Sequence, residues 1–187
     1  MSDRQREKTP IRDRLLDAAI HIAGAEGHDK VTYRSVAALV GTSHSLVRFY
    51  FGTREALLTE AFELAARRDA AEADLLADSP EAFGANLVRL MNEARDRQLL
   101  QVDFLLRAAR GDGETAPVAE LYDHYIAQVA GTLANLGIDD PGGIRAALVF
   151  AALDGLVLQH LVYGSDERAE KALAELREVL VLWKTAH

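Results

Sequence analysis

"ALVGTSHSLVRFYFGTREALL", Ala38 to Leu58, decides the fold, because its centre, "LVRFYF" at Leu46 to Phe51, reads in two ways. Aliphatic, β-branched and aromatic residues crowd around Arg48, and propensity alone favours a strand. A strand would put Leu46, Arg48 and Tyr50 on one face and Val47, Phe49 and Phe51 on the other. It would also stand alone between helical segments, with no strand to pair with. A helix sorts the same residues better. With His44 as origin and an advance of roughly 100° per residue, Arg48 falls near 40° and Ser45 near 100°, while Leu46, Tyr50, Val47 and Phe51 fall between about 200° and 340°. The same rule sets Phe49 near 140°, at the edge of the apolar arc. A helix therefore buries the apolar arc and presents His44, Ser45 and Arg48. Phe51 is expected in the core and Phe49 is left open between core and surface. Tyr50 is expected to need a polar partner for its hydroxyl.

Working outward, Gly41-Thr42-Ser43 is a short glycine-containing turn between two short helices, the arrangement of a helix-turn-helix. Tyr33 to Val40 supplies the first helix, with Val36, Ala37 and Leu39 apolar, and Ser43 can cap the second. Upstream, Thr9 can cap a helix with Pro10 at its first position, and Ile11, Leu15, Ala18, Ala19 and Ile22 recur at helical spacing until Gly27. Downstream, Thr53 can cap a helix carrying Leu57, Leu58, Ala61, Phe62 and Ala65. Further helices are expected from Ser79-Pro80, over Leu99 to Ala109, over Thr115 to Leu136, from Asp140-Pro141 to Tyr163, and from Ser165-Asp166 through Trp183. No segment alternates with period two for long, so the chain reads as all-α, with about nine helices. A head of three helices over residues 1–54, of which 1–9 form an arm, precedes a larger helical body over 55–187.

Charge separates the same two parts. The 187 residues carry a net charge of −8, which argues against nucleic acid if spread evenly. Residues 1–54, however, hold Arg4, Arg6, Lys8, Arg12, Arg14, Lys30, Arg34, Arg48 and Arg54 against Asp3, Glu7, Asp13, Asp17, Glu26 and Asp29, a balance of +3, and the remainder carries −11. Such asymmetry suggests a polyanion-facing head on an acidic body. There is no cysteine, which fits a reducing cytoplasm and removes thiolate chemistry. The N-terminus is polar and charged, unlike a secretory signal. The longest apolar stretch, Ala146 to Val162, is broken by Asp154, Gly155, Gln159 and His160 and is expected to fall short of a membrane span. A Gly-rich phosphate loop, GxSxG and HExxH are all missing, so an enzyme is not expected. Neither a metal nor another cofactor is implied by any spacing of His, Asp or Glu.

The stretch "LLDAAIHIAGAEGHDKVTYRSVAALVGTSHSLVRFYFGTREALL", Leu15 to Leu58, resembles the TetR family of transcriptional regulators: an apolar first helix, a glycine-containing break, a Thr opening the second helix, and an aromatic-rich recognition helix. The resemblance implies an all-helical homodimer, with the first three helices on double-stranded DNA and the rest holding an inducer pocket and the dimer interface in the last two helices. Position by position, it implies that Arg34, His44, Ser45 and Arg48 read bases and that Thr32, Tyr33, Tyr50 and Arg54 contact phosphates, Arg54 standing where the family usually has Lys. In a major groove Arg bonds guanine O6 and N7 bidentately, and His and Ser bond base edges or phosphates. The sequence departs from the family where Thr and Tyr are common, having Leu46 and Arg48, and where His is common, having Phe49. Arg48 then suggests a guanine preference. "LDGL" around Asp154 resembles one group of the family's C-terminal domains, and Met91, Arg95, Asp103, Phe104, Arg107, Tyr122, Tyr125 and Asp154 are the candidate ligand-pocket residues. The function implied is a ligand-responsive regulator, most simply a repressor released from a palindromic operator by a small molecule. The alternative is a helical small-molecule-binding protein without DNA binding.

Overall fold

The computed structural model describes residues 10–185; the charged arm with Arg4, Arg6 and Lys8, and the Thr9 cap, lie outside the described residues. Among the described residues there are nine α-helices and no strand. They are α1 (Ile11–Glu26), α2 (Tyr33–Val40), α3 (His44–Phe51), α4 (Arg54–Glu72), α5 (Leu87–Glu93), α6 (Arg95–Arg110), α7 (Ala116–Asn135), α8 (Ile144–Tyr163) and α9 (Asp166–Thr185), with a single 3₁₀ turn, His28–Lys30, between α1 and α2. Pro10 stands one position before α1, at ψ 142°, rather than inside its first turn.

Two compact units emerge. The first comprises residues up to Arg67 together with Asp96–Pro117. The sequence reading ended the head at residue 54, whereas compactness carries most of α4, as far as Arg67, and most of α6 along with it. Packing gives the reason. Leu57, Leu58, Ala61 and Ala65 of α4 and Leu100 of α6 are buried in one cluster with Leu15, Leu16, Ala19 and Ile22 of α1, Val36 of α2, and Val47 and Phe51 of α3. α1 and α6 also cross closely at Gly24, where a Cβ would lie 2.4 Å from the Asp96 Cα.

The second unit comprises Arg68–Arg95 and the chain from Val118 onward. Its core includes Phe83, Met91, Val129, Leu133, Val149, Leu153, Leu173 and Leu180. Thr132 is fully buried in α7, where its hydroxyl donates to the Leu75 carbonyl and accepts from the Ala77 N–H, both at 2.7 Å. The helix expected from Ser79-Pro80 begins only at Leu87. Ser79 does cap a turn, accepting from the Ala82 N–H, but Gly84 adopts φ 64° and breaks the run before α5 starts. α8 likewise starts at Ile144 rather than at Pro141. The Asp140 carboxylate reaches forward to accept from the N–H groups of Arg145 and Ala146, at 2.8 and 3.0 Å. The apolar stretch expected to fall short of a span is thus part of a 20-residue helix of mean hydropathy 1.6, long and apolar enough by length and composition to cross a membrane. One face of it packs in the core through Ala146, Val149, Phe150, Leu153 and Leu156, and the opposite side exposes Ile144 and Leu148.

Candidate nucleic-acid interface

α2 and α3 form the helix-turn-helix that their caps require. Thr32 and Ser35 make a reciprocal capping box at the start of α2, and the Ser43 hydroxyl accepts from the Leu46 N–H at the start of α3. Between them Gly41 takes the left-handed conformation, φ 76° and ψ 42°, which a side chain would disfavour. The strand reading of Leu46 to Phe51 is excluded: Val47 is 0% exposed and Phe51 5%, one turn apart on the buried face.

The other face is open. Arg34, His44, Ser45 and Arg48 are all exposed, and among the described residues none of their side chains makes a hydrogen bond or ion pair within the protein. Three neighbouring positions on one short helix and a fourth on its partner thus offer polar groups to solvent alone. Phe49, left open between core and surface, is 80% exposed. Tyr50 is half-buried, meeting Phe49 edge-on with ring centroids 5.6 Å apart.

The four residues expected to contact phosphate divide. Thr32 is exposed but its hydroxyl accepts from the Ser35 N–H. Tyr33 and Arg54 are committed inside the head. The Tyr33 hydroxyl donates to the Gly52 carbonyl at 2.7 Å, so its one O–H is used. Arg54 donates through Nε to the Val31 carbonyl at 2.6 Å and through a terminal nitrogen to the His28 carbonyl. It ties the start of α4 to the 3₁₀ turn, capping the Val31 carbonyl and adding a second donor to the His28 carbonyl, which also accepts from the Val31 N–H.

One cluster in this unit carried no sequence signal. Both an Arg107 guanidinium nitrogen and an Asp29 carboxylate oxygen, the latter at 3.1 Å, lie beside His28 Nε2. Its Nδ1 lies 3.1 Å from an Asp103 carboxylate oxygen. Phe104 stacks on Phe62, with centroids 4.5 Å apart and planes 14° from parallel. Asp103, Phe104 and Arg107, three of the eight candidate pocket residues, are therefore engaged in the first unit. In the second, Met91 is buried in the core and Arg95 donates twice to the Leu161 carbonyl at 3.1 Å.

The remaining three come together. The Tyr122 hydroxyl donates to Asp154 at 3.3 Å, and Tyr122 and Tyr125 both pack on Phe150, edge-on and stacked respectively. Burial pushes the Asp154 carboxyl above its ordinary range, against the Tyr122 hydrogen bond that lowers it. Burial, followed by the Asp154 charge, pushes the Tyr122 phenol to about 12. Among the described residues no three His, Asp or Glu side chains gather closely enough to hold a metal ion.

Comparison with known proteins covers both units. Residues 15–61 match the family described as bacterial regulatory proteins, tetR family, and residues 67–182 match the tetracyclin repressor-like C-terminal domain. The HTH-type transcriptional regulator BetI of Agrobacterium fabrum is 27% identical over 160 residues, spanning 81% of this chain and 77% of the relative. A transcriptional regulator from Rhodococcus sp. Rha1 has a similar crystal structure, with a TM-score of 0.73 and 25% identity over 92% of this chain and 97% of that one. The multidrug binding protein EbrR, crystallised with proflavin, gives a TM-score of 0.57 and 27% identity over 93% and 99% of the two chains. The helix-turn-helix with its open polar face, and the helices that follow it in the chain, each fall within a matched region: the chain belongs to the TetR family of transcriptional regulators, which are DNA-binding proteins and not enzymes.

Proposed function

We propose that this regulator is a cytoplasmic repressor that binds a palindromic operator as a homodimer and leaves it when a small molecule occupies the body. The observation that carries the DNA contact is the exposed set Arg34, His44, Ser45 and Arg48 on the helix-turn-helix, unpaired among the described residues. Arg48 bonds guanine, Arg34, His44 and Ser45 bond neighbouring base edges, and Thr32 and Tyr50 contact phosphate. Tyr33 and Arg54, whose donors are held inside the head, act by fixing the shape of the unit that presents these groups.

The dimer forms through the outer faces of α8 and α9. Ala152, Leu156 and Gln159 of α8 and Ala172, Leu176 and Val179 of α9 line an open, largely apolar groove between those helices, a surface that a second copy would cover. Two recognition helices then meet major grooves about 34 Å apart, and a ligand that favours another separation releases the operator. The anchor proposed for that ligand is Asp154 with Tyr122, Tyr125 and Phe150, where a half-buried carboxyl sits among aromatic rings. The similarity to EbrR crystallised with proflavin supports a body that takes small molecules.

Selecting bound duplexes from a random pool tests the reading. A palindrome is expected, with affinity falling steeply as salt rises, because released counterions drive much of the binding. Recovery of no specific duplex would overturn it in favour of a small-molecule-binding protein.

A further inference from the structure

Phe49 takes no part in the contacts assigned above, yet it is the most outward residue of α3. The buried face is centred between Val47 and Phe51. At roughly 100° per residue these lie near 300° and 340°, so the direction away from the core is near 140°, which is where Phe49 stands. The geometry agrees, leaving the ring 80% exposed. Ser45, one turn earlier on the same line, is exposed as well, and Arg48 lies beside both.

A single exposed apolar side chain is ordinary on a protein surface. What sets this one apart is its place directly away from the core, beside the exposed polar groups of Ser45 and Arg48. The ring meets Tyr50 edge-on, at an interplanar angle of 78°. A groove that receives α3 in the orientation dictated by its buried side meets Phe49 first. The ring has no charge for phosphate and no donor or acceptor for a base edge. What the major groove offers an apolar side chain is the 5-methyl group of thymine.

We propose that Phe49 is a specificity-determining residue that packs on one thymine 5-methyl group in each half-site, next to the base pair bonded by Arg48. The inference rests on the DNA-binding reading and adds an apolar contact to its hydrogen-bonding set. Its test uses the full chain and the duplex recovered by selection. Each thymine is replaced in turn by deoxyuridine, which removes the methyl group and leaves every hydrogen-bonding atom in place. The wild type is expected to lose about threefold to tenfold in affinity at one thymine per half-site, the scale of one buried methyl group. Phe49→Ala should lose a similar factor on the thymine duplex and show no further loss with deoxyuridine at that position, and Phe49→Leu should fall between. Because the ring is exposed, both variants should melt with the wild type. Wild-type protein that binds its duplex specifically but ignores every deoxyuridine overturns the proposal alone, as does Phe49→Ala that keeps the methyl sensitivity. Failure to find any specific duplex overturns the DNA-binding reading and this inference together.

Discussion

The face of the helix-turn-helix and the interior of the body treat polar side chains in opposite ways. On α2 and α3, Arg34, His44, Ser45 and Arg48 stand in solvent with no partner among the described residues. In the body, Thr132 is fully buried and bonds two backbone groups, Arg177 donates to the Phe83 carbonyl at 2.9 Å, and His160 meets Asp166 at 2.8 Å. Paired polar groups in a core hold segments in register, since leaving one unpaired is costly. Unpaired ones on a surface cost nothing by being there, and when several converge they are free for an external partner. The contrast therefore separates residues whose loss should register in melting from residues whose loss should register in binding.

Three substitutions probe that separation, in falling order of effect. Thr132→Val strips a buried hydroxyl from the Leu75 carbonyl and the Ala77 N–H, and should lower stability by about 2–4 kcal/mol. Denaturant unfolding would measure this, and a loss under about 0.5 kcal/mol would break the comparison on the body's side. Arg54→Ala removes the donor to the Val31 carbonyl and one of two donors to the His28 carbonyl, and should cost about 1–3 kcal/mol of stability while weakening all DNA sequences alike. If Arg54 served only as a phosphate contact, the melting temperature would not move. Arg48→Ala should leave stability within about 0.5 kcal/mol of wild type, and relax preference at one base pair by about 1–3 kcal/mol. An unchanged binding-site logo would remove Arg48 from the reading set.

Most of the head was legible because its signals are local. Gly41, Ser43 and Gly52 bound α3 by backbone conformation and capping, and the helical period assigned Val47 and Phe51 to the core. Phe49 was placed less well. Set against the whole apolar arc from Leu46 to Phe51 it stands at an edge, whereas set against the buried pair Val47 and Phe51 it stands at the outermost point. The commitments of Tyr33 and Arg54 could not be read, because their acceptors are the Gly52, Val31 and His28 carbonyls, 19 to 26 residues away. The candidate ligand residues suffered most. α6 lies far from α1 in sequence, so nothing local announces that Asp103, Phe104 and Arg107 join the first unit, while Tyr122, Tyr125 and Asp154 meet in the second. The late start of α5 came from Gly84, whose positive φ outweighed the Ser79-Pro80 start signal.

The crossing of α1 and α6 at Gly24 bears on how far the head is portable. A Cβ at residue 24 would collide with the Asp96 backbone, so the two helices are fitted to each other at that point rather than merely adjacent. Leu100, fully buried, closes the same cluster from α6. A chimera that borrowed residues 11–54 and left α4 and α6 behind would carry the reading helix with part of its own core missing. Exchange of operator preference between relatives of this protein is then better attempted by replacing the outward residues of α3 than by transplanting the segment that carries them.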